Sequence, residues 1–121
     1  MSQHIEIGRQ AEQLAQKFLI SKGYRILAAN WRLGKKEIDI ICTIENCLVI
    51  VEVKARLLSI HPVAGEIVNL KKQRNLIFAA EGYIKRYNIF MPTRFDIISV
   101  VFSGYNFDIE HIENAFFPEV E

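Results

Sequence analysis

The sequence predicts an α/β domain in which a mixed central sheet of about five strands is flanked by two main helices, in the order α-β-β-β-α-β-β. Two long segments repeat apolar residues at helical spacing, and five shorter ones are rich in β-branched and aromatic residues. Strand segments that are apolar on both faces are typical of a sheet covered on both sides. The chain has 121 residues, the size of one domain, so we expect a single domain over residues 1–121.

The amino-terminal part of the chain predicts a helix followed by a strand. Apolar residues recur every three or four positions across residues 3–22, and Gly23 marks the end of the helix. Residues 24–31 are rich in strand-forming types, and residues 32–35 form a turn candidate that includes a glycine.

A hairpin is predicted next, from two strands over residues 37–44 and 47–56 that only Glu45 and Asn46 separate. Alternation along each strand predicts which apolar side chains share a face of the sheet. One face is expected to hold Ile38, Ile40 and Cys42, and the other Ile41, Leu48 and Ile50.

The second half of the chain predicts a helix and a second pair of strands. A looser stretch containing His61 and Pro62 separates the hairpin from the helix, and a segment with Pro92 ends that helix. A Ser-Gly dipeptide divides the last two strands. The predicted ranges are 57–63 for the loose stretch, 64–87 for the helix, 94–102 and 105–112 for the strands, and 114–121 for a loose tail.

Composition excludes several classes of protein. Half of the residues are apolar and about a quarter are charged, as in a globular domain, and no apolar run is long enough to span a membrane. The start of the chain lacks the features of a secretory signal, so we expect a cytoplasmic protein without a membrane partner. Cys42 and Cys47 lack the spacing and histidine neighbours of a zinc site and are expected to stay reduced.

Charged residues inside the hairpin are the candidates for chemistry. Glu52 and Lys54 share a face of their strand, and a two-residue loop sets Asp39 directly across from Glu52. The same register sets Glu37 across from Lys54. Side chains opposed in this way lie about 5 Å apart, where two like charges destabilise a sheet. The repulsion can be removed by a cation, by a shared proton or by a salt bridge.

A divalent cation is the solution that would give this cluster a function. Asp39 and Glu52, with the Val53 carbonyl as a third oxygen, suit Mg²⁺ or Mn²⁺, which favour oxygen ligands. Such an ion makes a coordinated water more acidic and able to attack a phosphodiester, and Lys54 would stabilise the developing charge. The catalytic candidates are therefore Asp39, Glu52 and Lys54.

Spacing alone leaves alternatives open. If Glu52 and Lys54 were exposed residues at a strand end, Asp39 would pair with Lys54 or Arg56 in an ordinary salt bridge. A loop of odd length would shift the register by one residue and separate Asp39 from Glu52. Glu12, at the edge of the first helix's apolar stripe, is either a surface residue or a further carboxylate that points at the metal.

Basic residues cluster around the hairpin, although the formal net charge is only +1. Such runs are usually solvated surface, and long basic side chains on a helix often lie over apolar neighbours. Beside a nuclease site they could instead hold DNA phosphates. The residues in question are Lys35, Lys36, Arg56, Lys71, Lys72 and Arg74.

The order of several short motifs resembles the YraN family of bacterial proteins. Glu12 lies in a Gly-x-x-Ala-Glu-x-x-Ala run, Asp39 in Glu-Ile-Asp-Ile-Ile, and Lys54 in Val-Glu-Val-Lys-x-Arg. The resemblance runs from about Ile7 to Val101, nearly the whole chain. Further matching residues are Gly23-Tyr24, Asn30, Lys72-Gln73 and Arg94-Phe95-Asp96.

The resemblance implies a restriction-endonuclease-like fold of the PD-(D/E)xK nuclease superfamily, related to archaeal Holliday junction resolvases. It matches Asp39, Glu52 and Lys54 to the metal and catalytic positions of that superfamily. It matches Glu12 to a helix glutamate that assists metal binding in resolvase-like relatives. Further matches to the family, as candidate nucleic-acid contacts, are Arg56, Lys72 and Gln73.

The sequence thus predicts a metal-dependent endonuclease that acts on DNA rather than RNA, with branched or otherwise structured DNA as the candidate substrate. The alternative is a module that retains the nuclease fold and binds nucleic acid or a protein partner without turnover. The near-neutral net charge favours that alternative. Resolvases of branched DNA act as symmetric dimers, so a homodimer also stays open.

Overall fold

A computed structural model describes residues 3–58 and 68–118, which form one five-stranded sheet and two helices. The order of elements is α-β-β-β-α-β-β, and the predicted α/β class with a mixed sheet is confirmed. The elements are α1 Gln3–Ser21, β1 Arg25–Leu33, β2 Lys36–Ile44, β3 Cys47–Leu57, α2 Leu70–Tyr87, β4 Thr93–Ser103 and β5 Asn106–Phe116.

The strands lie in the sheet in chain order, from β1 to β5. Only the β3–β4 pair is parallel, because the chain between these strands crosses over through α2, and the other three pairs are antiparallel. The two helices cover opposite faces of the sheet, α1 packing on one buried apolar cluster and α2 on another. Neither described helix is long and apolar enough to cross a membrane.

The hairpin between β2 and β3 has the predicted two-residue loop. Glu45 and Asn46 both have positive φ, 48° and 61°, as the tight turn that suits twisted antiparallel strands requires. The loop pairs Ile44 with Cys47 and sets the register along the hairpin. An odd-length loop is thereby excluded.

The faces of β2 differ from the prediction at Ile38. Ile40 and Cys42 face α1 as a pair, but Ile38 belongs to the cluster under α2, together with Trp31 of the neighbouring strand. Alternation breaks on both strands between the Ala29–Ile40 pair and the Trp31–Ile38 pair. On β1 the break lies at Asn30, whose left-handed backbone (φ 52°) turns the strand over. Asp39 is the residue of β2 that lies at this switch of faces.

The second helix begins later than predicted. Residues 59–67, which hold most of the predicted loose stretch and the first part of the predicted helix, lie outside the described ranges. Val68 and Asn69 are not helical, and the Asn69 side chain accepts a hydrogen bond from the Lys72 backbone N–H at 2.9 Å. Asn69 is thus the N-cap, a role that asparagine fills well because its oxygen satisfies an unpaired helical N–H. The helix therefore begins at Leu70.

The predicted loose tail is wrong for its first three residues. Residues 114–116 continue β5, and residues 119–121 lie outside the described ranges. Phe116 is buried and stacks on Phe95 of β4, with ring centroids 5.1 Å apart. This aromatic pair adds the burial that extends the strand.

A buried charge network joins β4, β5 and Tyr24, the residue before β1. The Asp96 carboxylate is bonded by Arg94 at 2.8 Å, by His111 at 2.7 Å and by the Asn114 backbone N–H at 3.1 Å. Arg94 also donates to the Tyr24 hydroxyl at 2.6 Å. Burial acts to raise the pKa of Asp96, but the hydrogen bonds from His111 and Arg94 outweigh it and hold that pKa below its usual value. The network is therefore a source of stability as long as Asp96 is ionised.

Candidate functional site

Asp39 stands where the backbone pairing of the hairpin ends. The register between β2 and β3 runs from the loop to the Ile40–Val51 pair and stops there, so the predicted continuation to a backbone pair of Asp39 with Glu52 is wrong. In its place the Val53 backbone N–H donates to Asp39 Oδ2 at 2.8 Å. The two strands separate at this point because one carboxylate has taken over the hydrogen bond of the ladder.

The structure nevertheless brings Asp39 and Glu52 together. Glu52 is only 4% exposed, and burial raises its pKa to about 8 with the help of hydrogen bonding to Asp39 and repulsion from it. Lys72 and Lys54 act in the opposite direction, and Lys72 Nζ lies 3.3 Å from Glu52 Oε2. A buried carboxylate beside a second carboxylate is costly to ionise unless a cation is near.

A second group of carboxylates meets Asp39 from the α1 side. One oxygen each of Glu12, Glu37 and Asp39 can lie within 4.8 Å of the others, and all three residues are half-buried. Burial and repulsion from Asp39 raise the pKa of Glu12, while a hydrogen bond from the Asn30 side chain opposes the rise. Asp39 is therefore the carboxylate that interacts both with Glu12, which approaches from α1, and with Glu52 on β3.

Glu37 is the site residue that the sequence reasoning misplaced. It was expected opposite Lys54, but the hairpin register does not extend that far, and Glu37 pairs with Arg32 at 2.9 Å instead. The sequence does indicate that Glu37 lies beside Asp39, because residues two apart on a strand share a face and Glu37 precedes Asp39 by two.

Two predicted site residues lie further along β3. Lys54 is half-buried and close enough to Glu52 to act on its pKa. Arg56 is only 6% exposed. A phosphate contact would need a more accessible guanidinium. The Val53 carbonyl projects toward the same neighbouring strand as the Val53 N–H, because both groups of a strand residue point to one side.

The basic residues at the start of α2 lie on different sides of the helix. Lys72 reaches Glu52, and the Gln73 side chain donates to the Val68 carbonyl at 2.8 Å, which ties down the start of the helix. Lys71 and Arg74 are exposed. At 3.6 residues per turn, Arg74 is about 200° around the helix from Lys72 and so faces away from the carboxylates. Lys72 and Arg74 therefore lie on different sides of α2.

The turn between β1 and β2 contributes the remaining basic residues. Lys35 is exposed, and Lys36 Nζ lies 4.9 Å above the ring centroid of Phe78 on α2. Lys36 is thus held against the second helix by a cation–π contact.

The donor types fit a hard divalent cation. Glu12, Glu37 and Asp39 form the group whose oxygens lie together, and Glu52 lies against Asp39. All four offer carboxylate oxygens, the ligands that Mg²⁺ and Mn²⁺ favour. Burial and Asp39 raise the pKa of Glu52 even though Lys72 is paired with it, so a divalent cation would favour the ionised form. A cation of higher charge would relieve both repulsions at Asp39.

Comparison with known proteins gives one family. The family model described as "Uncharacterised protein family UPF0102" matches residues 11–100. A UPF0102 protein of Phocaeicola vulgatus is 40% identical over 120 residues, covering 99% of both chains. One of Bacteroides thetaiotaomicron is 43% identical over 118 residues and 98% of both chains, and one of Flavobacterium psychrophilum is 41% identical over 117 residues, covering 97% of this chain and 98% of its own.

Proposed function

This chain belongs to the uncharacterised protein family UPF0102, and we propose that it is a metal-dependent endonuclease that hydrolyses phosphodiester bonds of DNA. The observation that carries the proposal is the position of Asp39, which leaves the β2–β3 ladder to bond Val53 while lying against the buried Glu52. A purely structural sheet would gain nothing from two carboxylates at that point, because their repulsion weakens the pairing. Perturbed carboxylates of this kind are common in catalytic sites.

Each residue of the cluster has a role in the proposed reaction. Asp39, Glu52 and the Val53 carbonyl would hold Mg²⁺ or Mn²⁺, with Glu12 completing the shell from α1. When bound, the ion supplies Lewis-acid activation of a water and neutralises charge on the phosphate. The Lys54 ammonium donates to the oxygens on which negative charge grows during attack, which lowers the barrier. Lys72, which is paired with Glu52 in the structure, would be available to contact the substrate if a cation took its place at Glu52.

Three further lysines extend the proposal to the substrate. Lys71 on α2 and Lys35 on the β1–β2 turn are exposed, and Lys36 at the start of β2 is half-buried. These charged groups would contact backbone phosphates on either side of the cut. A branched or structured DNA in the cytoplasm is the substrate we propose, with DNA favoured over RNA. Two symmetric cuts in such a substrate would require a homodimer.

Cleavage assays test the proposal directly. Purified protein is incubated with duplex, single-stranded and four-way-junction DNA in Mg²⁺, in Mn²⁺ and in a chelator. We expect cutting with either metal and none with the chelator. Asp39→Asn and Lys54→Ala should each abolish cutting, while melting temperature and DNA affinity stay close to the parent.

A matched control is Lys85→Ala, because Lys85 is an exposed lysine in the last turn of α2. It should cut at the parental rate. If no substrate is cut with either ion, and isothermal titration detects no divalent binding that Asp39→Asn removes, the nuclease proposal is refuted.

A second function is favoured by the Lys72–Glu52 ion pair. With an ammonium 3.3 Å from the buried carboxylate, the cluster has a cation of its own and the fold is able to stand without metal. The protein would then be a nucleic-acid-binding or partner-binding module. This second function predicts DNA binding that weakens with salt and is unaffected by divalent ions. It also predicts that the binding persists when Asp39 and Glu52 are both replaced.

A further inference from the structure

The outer side of α2 carries an apolar stripe that no described element covers. Leu70 is 55% exposed and Phe78 54% exposed, and Phe117 beyond the end of β5 is 69% exposed. Between α2 and Phe117 runs a groove of about 330 Å³, whose lining includes Ile77. Ile77 is half-buried, with part of its side chain packed on the core under α2. Apolar surface gathered in this way on a small domain indicates a contact with another molecule.

Two charged residues flank the middle of the stripe. Arg74 and Glu81 line the same groove as Phe78. They are seven residues apart, which is two helical turns, so both point to the same side of α2. The midpoint between them falls between Ile77 and Phe78, and each charge lies roughly 5 Å along the axis from that midpoint.

This arrangement is complementary to itself. If a second α2 lies antiparallel across the stripe on a two-fold axis through the midpoint, Arg74 faces the partner subunit's Glu81, and Glu81 faces the partner subunit's Arg74. Ile77 and Phe78 then meet at the axis. A parallel arrangement would instead set Arg74 against its own copy, which is repulsive. Two-fold interfaces are built from one such self-complementary patch.

We propose that the stripe formed by Leu70, Arg74, Ile77, Phe78 and Glu81 is the interface of a two-fold symmetric dimer of this chain, with antiparallel α2 helices. Phe78 lies at the centre of the interface, where its ring is already oriented by the Lys36 ammonium 4.9 Å above it. An aromatic residue enclosed by a polar rim is the usual energetic centre of such a contact.

The dimer leaves the carboxylate cluster accessible. Lys72, which contacts Glu52, is on the other side of α2 from Arg74, so the interface and the cluster use different sides of one helix. Two copies of the cluster would then act on one substrate, a consequence that rests on the proposed function. The dimer itself does not rest on it, and it is tested without any assay of activity.

The test is sedimentation velocity over a range of protein concentrations, from about 1 to about 500 µM, since dimerisation follows mass action. The parent should approach twice the 14.0 kDa of one chain. Phe78→Ser should raise the dissociation constant of the dimer by more than about tenfold. Its matched control is Phe90→Ser, because Phe90 is 94% exposed but lies outside α2, and this variant should dimerise as the parent does.

Charge reversal tests the antiparallel geometry. Arg74→Glu and Glu81→Arg should each weaken the dimer, because each creates two like-charge contacts across the axis. The dimer dissociation constant of the double variant should return to within about threefold of the parental value, because both contacts are restored with inverted sign. Circular dichroism melting of every variant separates loss of the dimer from loss of the fold.

Two results would overturn the dimer. The parent could stay monomeric at the highest concentration, or the double reversal could dimerise no better than the single ones. If the parent is monomeric and Phe78→Ser loses affinity for single-stranded DNA, the stripe is assigned to nucleic acid instead. A dimeric protein that neither cuts DNA nor binds a divalent ion through Asp39 would refute the nuclease proposal and leave the dimer standing.

Discussion

Glu52→Gln should make the metal-free protein more stable, although it removes a proposed ligand. In the folded state burial and the neighbouring Asp39 raise the pKa of Glu52 from 4.5 to about 8. A carboxyl group whose pKa is raised by folding contributes most to stability below its unfolded pKa, and that contribution is lost as pH rises to the folded value. The penalty on the parent therefore grows between pH 4.5 and about pH 8.

The expected gain follows from the size of this shift. One pKa unit corresponds to about 1.4 kcal/mol. The shift from 4.5 to about 8 therefore limits the gain in the free energy of unfolding to about 5 kcal/mol. The amide loses the ion pair with Lys72 and brings N–H groups that need partners. We therefore expect about 2 kcal/mol at pH 8.5, or a melting temperature higher by roughly 6 to 10 °C.

The assay is thermal and urea unfolding of both proteins in chelator from pH 4.5 to pH 9. The stability difference should be small near pH 4.5 and reach its full value above pH 8. Glu6→Gln is the control, because Glu6 is an exposed glutamate on α1, and it should leave stability almost unchanged. Divalent metal at ten times its dissociation constant should add about 1.4 kcal/mol to the parent and much less to Glu52→Gln.

A Glu52→Gln variant that melts at or below the parent temperature at pH 8.5 would refute this reasoning. Such a result would mean that the pair with Lys72 stabilises the fold by more than burial and Asp39 destabilise it. A stability difference that does not change with pH would also contradict it, because the effect would then come from packing and not from ionisation.

Three further changes test the fold around the cluster. Asp96→Ala should cost roughly 3 to 5 kcal/mol at pH 7, because it leaves Arg94 without its buried partner, and in urea titrations the deficit should shrink below pH 4 as the lowered pKa of Asp96 is passed. Phe116→Ala should cost about 3 kcal/mol by urea unfolding if β5 extends to this residue, whereas the exposed Phe117→Ala should cost little. Asn69→Ala should cost about 1 kcal/mol in the same measurement, and Asn69→Asp should restore most of it.

Much of the site was predictable because the hairpin is local in sequence. Glu45 and Asn46 are a two-residue loop of types that tolerate positive φ, so they set the register from the loop onward. That register led to the proximity of Asp39 and Glu52, which the structure contains. The motif order led to the YraN family, and the membership in UPF0102 confirms it.

Other features depend on contacts that alternation does not describe. Alternation breaks across β1 and β2 beside the left-handed Asn30, so Ile38 lies under α2 and not under α1. The approach of Glu12 on α1 to Asp39 depends on how the helix packs. The helical period of α2 was visible in the sequence, but not which side of it the sheet would take. Only the packing of α2 assigns Lys72 to the cluster and Arg74 to the opposite side.

The sequence by itself determined the α/β class, the order of the elements and the hairpin that carries Asp39 and Glu52, because these follow from local propensity and short-range register. The tertiary structure decided where the β2–β3 ladder stops and which charges gather there. That decision depends on α1 and α2 approaching from opposite faces with Glu12 and Lys72, residues far from the hairpin in sequence. Burial between these layers then converts two ordinary strand carboxylates into a pair that is costly to ionise without a cation.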